Sequence, residues 1–351
     1  MTGELGTYDV TTTLLALVTT VFCLLLLRPS AGKKAMIRTP SQAKELLTQF
    51  LRMSEGIKPI GFGAVLSVGR DLVPSEVNTP KVKPHVSVNY RVPQALCLPS
   101  SSAPSSPPGL PLGVLLAIFD DVSTWPIIVA DPLRRPGVSV HLSATYLDAP
   151  VAPGSELLIT SDVKKLGNLM AFCSLECRLK ETGELVAVGE HTKYLPMGWV
   201  YEKLIPNFLG PLTLFSSKYG PELVKNSSAL EAASTVSDLV RPLEPEPEGN
   251  VTRASFSVTD ECKNPMGGFH GGCQALVAQV VAGAGVAGMM GKGGKVLKSV
   301  SVSYMSTGKG VCDVVSEVLP QKQDDDDDIT TSVEIMREDG RLISTAMMTW
   351  K

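Results

Sequence analysis

Histidine and aromatic residues are scarce in this chain, and its charges are almost balanced. Of 351 residues only four are histidine and 5% are aromatic, while 32 basic residues stand against 35 acidic ones. Nucleic-acid binding normally leaves a strongly basic footprint, so a formal net charge of -3 gives no electrostatic case for such a partner. The length is sufficient for two or three domains of ordinary size.

The cysteines form neither a disulfide framework nor a zinc motif. There are seven of them, an odd number, and Cys173 and Cys177 are four positions apart, which is not the CxxC spacing. No histidine lies near this pair at the spacing of a zinc ligand. We therefore expect reduced, mostly buried cysteines, no metal site, and a cytosolic, matrix or stromal compartment.

One uncharged segment near the N-terminus is long enough to cross a bilayer. Residues 10–27 are 18 consecutive positions without a charge, against the roughly 17–25 that a spanning helix requires. The charged residues before the segment are both acidic, Glu4 and Asp9, whereas the basic residues Arg28, Lys33 and Lys34 follow it closely. A cleaved leader normally carries its positive charge in front, so we expect a single-pass anchor with the body on the matrix or cytosolic side. A short buried helix is the alternative.

The remainder of the chain repeats itself. Each half contains a strand, a long apolar helix and then a series of alternating strands, and the helices are expected at Leu112–Ile128 and Gly271–Met290. Tyr146 and Tyr304 occupy the same place in the two series and are 158 residues apart. An apolar helix of this length needs cover on all sides, which a curved antiparallel sheet provides. The pattern predicts two tandem α+β domains.

A glycine-rich turn, Asn264–Gly272, precedes the second apolar helix. Its sequence is NPMGGFHGG, and its glycines permit a tight turn and a close approach of the backbone to a ligand. The free N–H groups of the first helical turn would then face a group that gains negative charge, such as a thioester oxygen under nucleophilic attack. A purely structural cap, with His270 satisfied by backbone atoms, is the alternative.

This turn resembles the N-x-x-G-x-x-HGG motif of the 4-hydroxybenzoyl-CoA and phenylacetyl-CoA thioesterase superfamily. Further segments resemble the same family, namely residues 303–306 (SYMS), 119–124 (FDDVST) and 189–193 (GEHTK). The resemblance implies two fused hotdog domains, each a long central helix wrapped by an antiparallel sheet. We place the N-terminal transmembrane helix and its basic flank at residues 1–40, the first hotdog domain at 41–205 and the second at 206–351.

The resemblance also implies the site residues. Members of the family polarise the thioester carbonyl with a helix-cap glycine N–H, and use a carboxylate nine residues after the motif histidine on the partner subunit. The second half keeps Asn264, His270 and Gly271 but has Gln279 at the carboxylate position. The first half has Asp120 there, yet its own cap is Pro-Leu-Gly.

These losses are complementary, so one working site is expected between the halves. That site would unite Asp120, as general base or nucleophile, and Asp148, at the place of the family's serine, with the cap of the second half. A second, degenerate site would contain Gln279 and Ser306. The expected function is therefore a membrane-anchored acyl-CoA hydrolase that needs no cofactor beyond the coenzyme A of its substrate.

Two other interpretations remain open. The degenerate cap and the anchor also fit an inactive, thioesterase-like accessory subunit of an organellar membrane complex, with the mitochondrial inner membrane expected over the endoplasmic reticulum. A dehydratase of the same fold would use a histidine with a carboxylate from the partner domain, for which His270 and Asp120 are the candidates.

Overall fold

The computed structural model of the chain describes ten stretches of the sequence, and everything below refers to them. They are residues 39–56, 61–68, 71–78, 84–99, 108–148, 150–196, 235–264, 267–290, 295–320 and 328–351. The expected anchor at residues 10–27 and the expected domain boundary at 205/206 lie outside the described residues.

Two of the helices are long and apolar and form the centre of the protein. The helices are α1 (Pro40–Gly56), α2 (Phe62–Val65), α3 (Leu112–Ala130), α4 (Val236–Val240) and α5 (Gly271–Met290), with 3-10 turns at Gln94–Leu96 and Asp260–Cys262. By length and composition α3 and α5 would suit a membrane, yet most of each is buried against the sheet. The Leu112 start agrees with the sequence prediction, and so do both ends of α5.

Twelve strands among the described residues form one sheet. Those of the first half are β1 (Pro74–Val77), β2 (His85–Arg91), β3 (Val138–Tyr146), β4 (Glu156–Leu166), β5 (Met170–Leu179) and β6 (Leu185–Tyr194). Those of the second half are β7 (Glu246–Glu248), β8 (Val251–Ser257), β9 (Leu297–Tyr304), β10 (Val311–Val318), β11 (Ile329–Arg337) and β12 (Leu342–Trp350). Buried and more exposed residues alternate along most of them, because one face of the sheet covers α3 and α5.

The two halves have the same strand order. The strand order of the sheet is β1-β2-β4-β5-β6-β3-β9-β12-β11-β10-β8-β7. From the outer edge to the junction, the first half has β1-β2-β4-β5-β6-β3 and the second half has the equivalent order β7-β8-β10-β11-β12-β9. Every pair of neighbouring strands is antiparallel. The halves join through β3 and β9, which pair from His141–Ser303 to Thr145–Ser299. The two predicted domains, each an antiparallel sheet around a long helix, are present, and they join edge to edge.

The central helices cross at two glycines that permit unusually close contact. A Cβ added to Gly272 would lie 2.1 Å from Cβ and 2.4 Å from Cα of Ala117. A Cβ added to Gly113 would lie 2.7 Å from Cα of Leu276. Gly113 and Gly272 are 159 residues apart, and so are Ala117 and Leu276. The two contacts are thus copies of each other, so the halves face one another around an approximate two-fold axis.

Candidate active site

Asp120 lies in the middle of α3, where its carboxylate is held by side chains of its own half. Its Oδ1 atom accepts hydrogen bonds from Lys193 Nζ at 3.1 Å and Ser139 Oγ at 3.0 Å. His191 Nε2 is 3.7 Å from the same oxygen. Lys193 and His191 are inward-facing residues of β6, and Ser139 is near the start of β3. All of these contacts fall on Oδ1, so Oδ2 remains for a substrate or a water.

The surrounding groups, above all the Lys193 ammonium, keep Asp120 ionised. Burial alone would raise the pKa of this carboxyl, but Lys193, and then His191 and His270, outweigh it and hold the pKa far below its ordinary value. Burial also lowers the pKa of His191 to about 3, so this imidazole is neutral at physiological pH. The site therefore combines a carboxylate, an ammonium group and a neutral histidine.

The hydrogen bonds of His191 indicate its tautomer. Its Nδ1 atom is 2.6 Å from Ser123 Oγ, and its Nε2 atom has no hydrogen-bond partner among the described residues. The single proton of the Ser123 hydroxyl has two acceptors within reach, Asp120 O at 3.1 Å and His191 Nδ1 at 2.6 Å. When it is donated along the shorter contact, the imidazole proton is on Nε2 and points towards the Asp120 carboxylate. The opposite tautomer would turn a lone pair towards that negative charge, so the first arrangement is electrostatically favoured.

The N–H groups of Gly271 and Gly272 in the cap of α5 differ in their partners. His270 Nδ1 accepts from the Gly272 N–H at 3.1 Å, whereas the Gly271 N–H has no partner among the described residues. Asn264 Oδ1 accepts from the Gly268 N–H at 3.1 Å, so this side chain closes the turn. The cap packs against α3 at Ala117, since a Cβ added to Gly272 would lie 2.1 Å from Ala117 Cβ, and Asp120 follows Ala117 by one helical turn. Burial lowers the pKa of His270, and the charge of Asp120 opposes that shift.

The equivalent cap of the first half is occupied. Gln279 Oε1 accepts from the Gly113 N–H at 2.8 Å, across the interface between the helices. Gly113 corresponds to Gly272 in the repeat, and the first half has Pro111 where the second has His270. The amide of Gln279 thus supplies the acceptor that His270 supplies at the other cap, and leaves this N–H unavailable to a ligand.

The structure does not bring Asp148 to Asp120, contrary to the sequence-based expectation. Asp148 is exposed and follows β3 at the end opposite to Ser139, where Tyr146 Oη donates to Leu110 O at 2.9 Å beside the first cap. About nine residues of extended strand, some 30 Å, separate it from Ser139. The hydroxyl group beside Asp120 is that of Ser139.

Ser306, the counterpart of Asp148, and Gln279 have different hydrogen-bond partners. The Ser306 hydroxyl donates to Leu342 O at 2.7 Å, within the second half. The position that corresponds to Ser139 is Leu297, 158 residues later. The repeat therefore has a polar residue at this position in the first half and an apolar one in the second, and this difference is the sequence signal that could have identified Ser139.

Asp121, next to Asp120, has a buried carboxyl oxygen that no hydrogen bond within the described part of the chain satisfies. Its Oδ2 atom has no hydrogen-bond partner among the described residues. Burial and then the charge of Asp120 raise its pKa from 3.8 to about 8, with Lys193 opposing them. The carboxyl is therefore largely protonated at neutral pH in the folded protein, whereas it ionises near pH 4 in the unfolded chain.

We expect the substitution Asp121→Asn to stabilise the protein in a pH-dependent manner. Between pH 4 and pH 8 the unfolded chain releases a proton that the folded chain retains, so rising pH favours unfolding. Asparagine has no such proton, and the free energy of unfolding should increase by about 2 kcal/mol or more at pH 8, with no gain at pH 4. Denaturant titrations at several pH values measure this, with the exposed carboxylate substitution Glu190→Gln as control. A gain that is constant over this pH range would contradict the assignment.

Among the described residues, no three His, Cys, Asp or Glu side chains come together as metal ligands would. The six described cysteines, Cys97, Cys173, Cys177, Cys262, Cys273 and Cys312, are free and buried.

Comparison with known proteins gives the same fold. A family described as a domain of unknown function (DUF4442) matches residues 232–351, which is the second half. An oleoyl thioesterase structure from Lactobacillus plantarum superposes with a TM-score of 0.51 at 12% identity, covering 78% of this chain and 98% of that one. The tesB protein of Mycobacterium avium subsp. paratuberculosis superposes with a TM-score of 0.51 at 10% identity, covering 83% of this chain and 98% of that one. These likenesses establish the double hotdog fold.

A sequence relative adds a local similarity. Acyl-coenzyme A thioesterase 13 of Mus musculus is 37% identical over 83 residues, which make up 24% of this chain and 58% of the relative, and the human protein gives the same values. The chain thus spans a little over half the length of these relatives. The chain is therefore similar to an acyl-coenzyme A thioesterase over about a quarter of its length, and its fold is that of two fused hotdog domains.

Proposed function

We propose that this protein hydrolyses acyl-CoA thioesters at one site per chain, formed between its two halves. The observation that carries the proposal is the asymmetry of the two equivalent positions. On one side the ionised carboxylate of Asp120 lies one helical turn after Ala117, which packs against Gly272 in the cap of α5. The equivalent position on the other side is Gln279, which cannot act as a base and whose amide oxygen accepts from the Gly113 N–H. The likeness to acyl-coenzyme A thioesterase 13 supports the substrate class.

In the proposed reaction, the thioester oxygen accepts a hydrogen bond from the Gly271 N–H at the positive end of α5. Asp120 Oδ2 removes a proton from a water whose oxygen attacks the carbonyl carbon, and the electron pair of the C=O bond moves to the carbonyl oxygen. Collapse of this intermediate breaks the C–S bond and expels coenzyme A, whose sulfur takes the proton. Direct attack by Asp120, followed by hydrolysis of the resulting anhydride, gives the same products.

The other side chains would position these groups. Lys193 and Ser139 hold Oδ1 of Asp120 and so direct Oδ2 outwards. His270 fixes the first turn of α5 through the Gly272 N–H, and Asn264 fixes the preceding turn. The proposed reaction consumes only water and the thioester, so coenzyme A as part of the substrate is its only cofactor-like component.

Release of free thiol from a series of acyl-CoA chain lengths tests the proposal. The full chain, kept in detergent, should turn over at least one chain length well above the uncatalysed rate. Absence of turnover with every chain length would contradict hydrolysis and favour the accessory-subunit interpretation, for which the filled cap at Gln279 is the structural support.

We further propose that residues 10–27 anchor the protein in a membrane, with the body on the matrix or cytosolic side and the mitochondrial inner membrane preferred over the endoplasmic reticulum. The basic residues that follow the segment support this orientation. Free, buried cysteines suit a reducing compartment. Membrane lipid and subunits of a membrane complex are accordingly the expected partners besides acyl-CoA.

Deletion of residues 1–28 should release the body from membranes. The two long apolar helices among the described residues, α3 and α5, are buried inside the hotdog core, so this part of the truncated chain offers no helix for insertion. We expect the truncated protein in the supernatant after a carbonate wash, and the full chain in the pellet. A truncated protein that stays in the washed pellet would show that the anchor lies elsewhere.

A further inference from the structure

The hydroxyl group of Tyr304 lies at the candidate site without a hydrogen-bond partner. Tyr304 is the last residue of β9, and its ring covers the first residue of α5. A Cβ added to Gly271 would lie 2.9 Å from Cζ and 3.0 Å from Oη of this tyrosine. The Oη atom is buried, and none of the described residues bonds it. A buried hydroxyl without a hydrogen-bond partner costs free energy, and a ligand that accepts a hydrogen bond from it would recover that free energy.

The equivalent tyrosine of the first half shows what this hydroxyl normally does. Tyr146 Oη donates to Leu110 O at 2.9 Å, and so ties the end of β3 to the chain just before the cap. The carbonyl that corresponds to Leu110 O in the second half is that of Phe269. This carbonyl instead accepts from Gln274 Nε2 at 2.9 Å.

Gln274 therefore takes over the structural role that Tyr146 has in the first half. The residue that corresponds to Gln274 in the repeat is Leu115, which has no side-chain donor. In the second half Gln274 donates to the backbone carbonyl, so the Tyr304 hydroxyl is not needed for that hydrogen bond. This hydroxyl is next to the Gly271 cap, and the charge of Asp120 acts on it.

On the basis of the proposed function, we propose that the Tyr304 hydroxyl is a second oxyanion donor, which hydrogen-bonds the thioester oxygen together with the Gly271 N–H. As the carbonyl carbon is attacked, the C=O electron pair moves to the oxygen, and the hydroxyl stabilises that charge while keeping its proton. Burial and Asp120 raise the pKa of Tyr304 well above its ordinary value, so the group remains a donor throughout the physiological range. The role requires no proton transfer from tyrosine.

The matched variants Tyr304→Phe and Tyr146→Phe test this role in the full chain. Tyr304→Phe should lower kcat by about 10- to 100-fold with little change in KM, since a donor to the oxyanion acts mainly in the transition state. Its melting temperature should not fall, because no hydrogen bond within the protein is lost. Tyr146→Phe should keep kcat within about twofold and lower the melting temperature, because Leu110 O loses its donor. Equal losses of kcat in the two variants, or an unchanged kcat in Tyr304→Phe, would overturn the proposal.

Binding of two unreactive coenzyme A ligands separates this proposal from the hydrolase proposal. One ligand is a ketone in which methylene replaces the thioester sulfur, and the other is an S-alkyl thioether without a carbonyl. Tyr304→Phe should weaken binding of the ketone by about 3- to 10-fold and leave binding of the thioether unchanged, as expected for the loss of one hydrogen bond. If the substitution weakened binding of both ligands equally, the role proposed for Tyr304 would be wrong. If the wild type binds both without hydrolysing acyl-CoA, the hydrolase proposal is wrong and the comparison still decides the role of Tyr304. If the wild type binds neither ligand, both proposals are wrong.

Discussion

Asp120→Asn should lower the rate of acyl-CoA hydrolysis by about 100-fold or more, while Gln279→Ala leaves it nearly unchanged. Asparagine has almost the shape of aspartate but can neither accept a proton from water nor attack the thioester. Its partners Lys193 and Ser139 would remain in place, so the loss would report on chemistry rather than on folding. Release of free thiol from the best acyl-CoA substrate measures both rates.

Gln279 is the matched control because it occupies the position equivalent to Asp120 on the other central helix. Alanine there removes the acceptor of the Gly113 N–H, but the opposite cap and Asp120 are untouched. A thermal melt of each variant verifies that the fold survives. Equal effects of the two substitutions would contradict a single site between the halves, and a wild-type rate in Asp120→Asn would assign the carboxylate a structural role.

Gly272→Ala should destabilise the protein by about 3 kcal/mol or more, at the upper end of the range for overpacking. The added Cβ would overlap Cβ and Cα of Ala117, and backbone atoms of a packed helix cannot move aside as a flexible side chain can. Relief requires α3 and α5 to separate, which would disturb the helix packing of both domains. Chemical denaturation monitored by circular dichroism measures the difference.

Gly288→Ala provides the control within the same helix. The nearest atom to its added Cβ is Pro247 Cβ at 3.5 Å, an ordinary contact. Because alanine is the better helix former, this variant should be more stable than the wild type by up to about 1 kcal/mol. If Gly272→Ala were as stable as Gly288→Ala, the close crossing of the central helices would be wrong.

The fold could be predicted well because its signals are local or periodic. Helix α5 is a long apolar run that begins at a glycine-rich turn, and its predicted bounds, Gly271–Met290, are those observed. The repeat at an offset of 158 residues gave the second half the architecture of the first. The strand order and the β3–β9 junction depend on which edges meet in space, which spacing along the chain does not record.

The site could be predicted only in part, for a related reason. Asp120 and the Asn264–Gly272 cap were recognisable because each belongs to a contiguous motif. Ser139 belongs to no such motif, and the segment 189–193 that contains Lys193 is far from Asp120 in the sequence. The fold of the sheet brings both residues to the carboxylate. Asp148 was placed at the site as the repeat counterpart of Ser306, but an extended strand separates it by about 30 Å from Ser139, which bonds Asp120.

The continuous sheet across β3 and β9 has a consequence for how the proposed enzyme would behave on dilution. In a dimer of separate hotdog chains, a shared site disappears as the subunits dissociate at low concentration. Here each half is the covalently linked partner of the other, and the effective concentration of that partner does not depend on how much protein is present. Specific activity should therefore stay constant down to the lowest measurable protein concentration, because the chain carries its own second subunit.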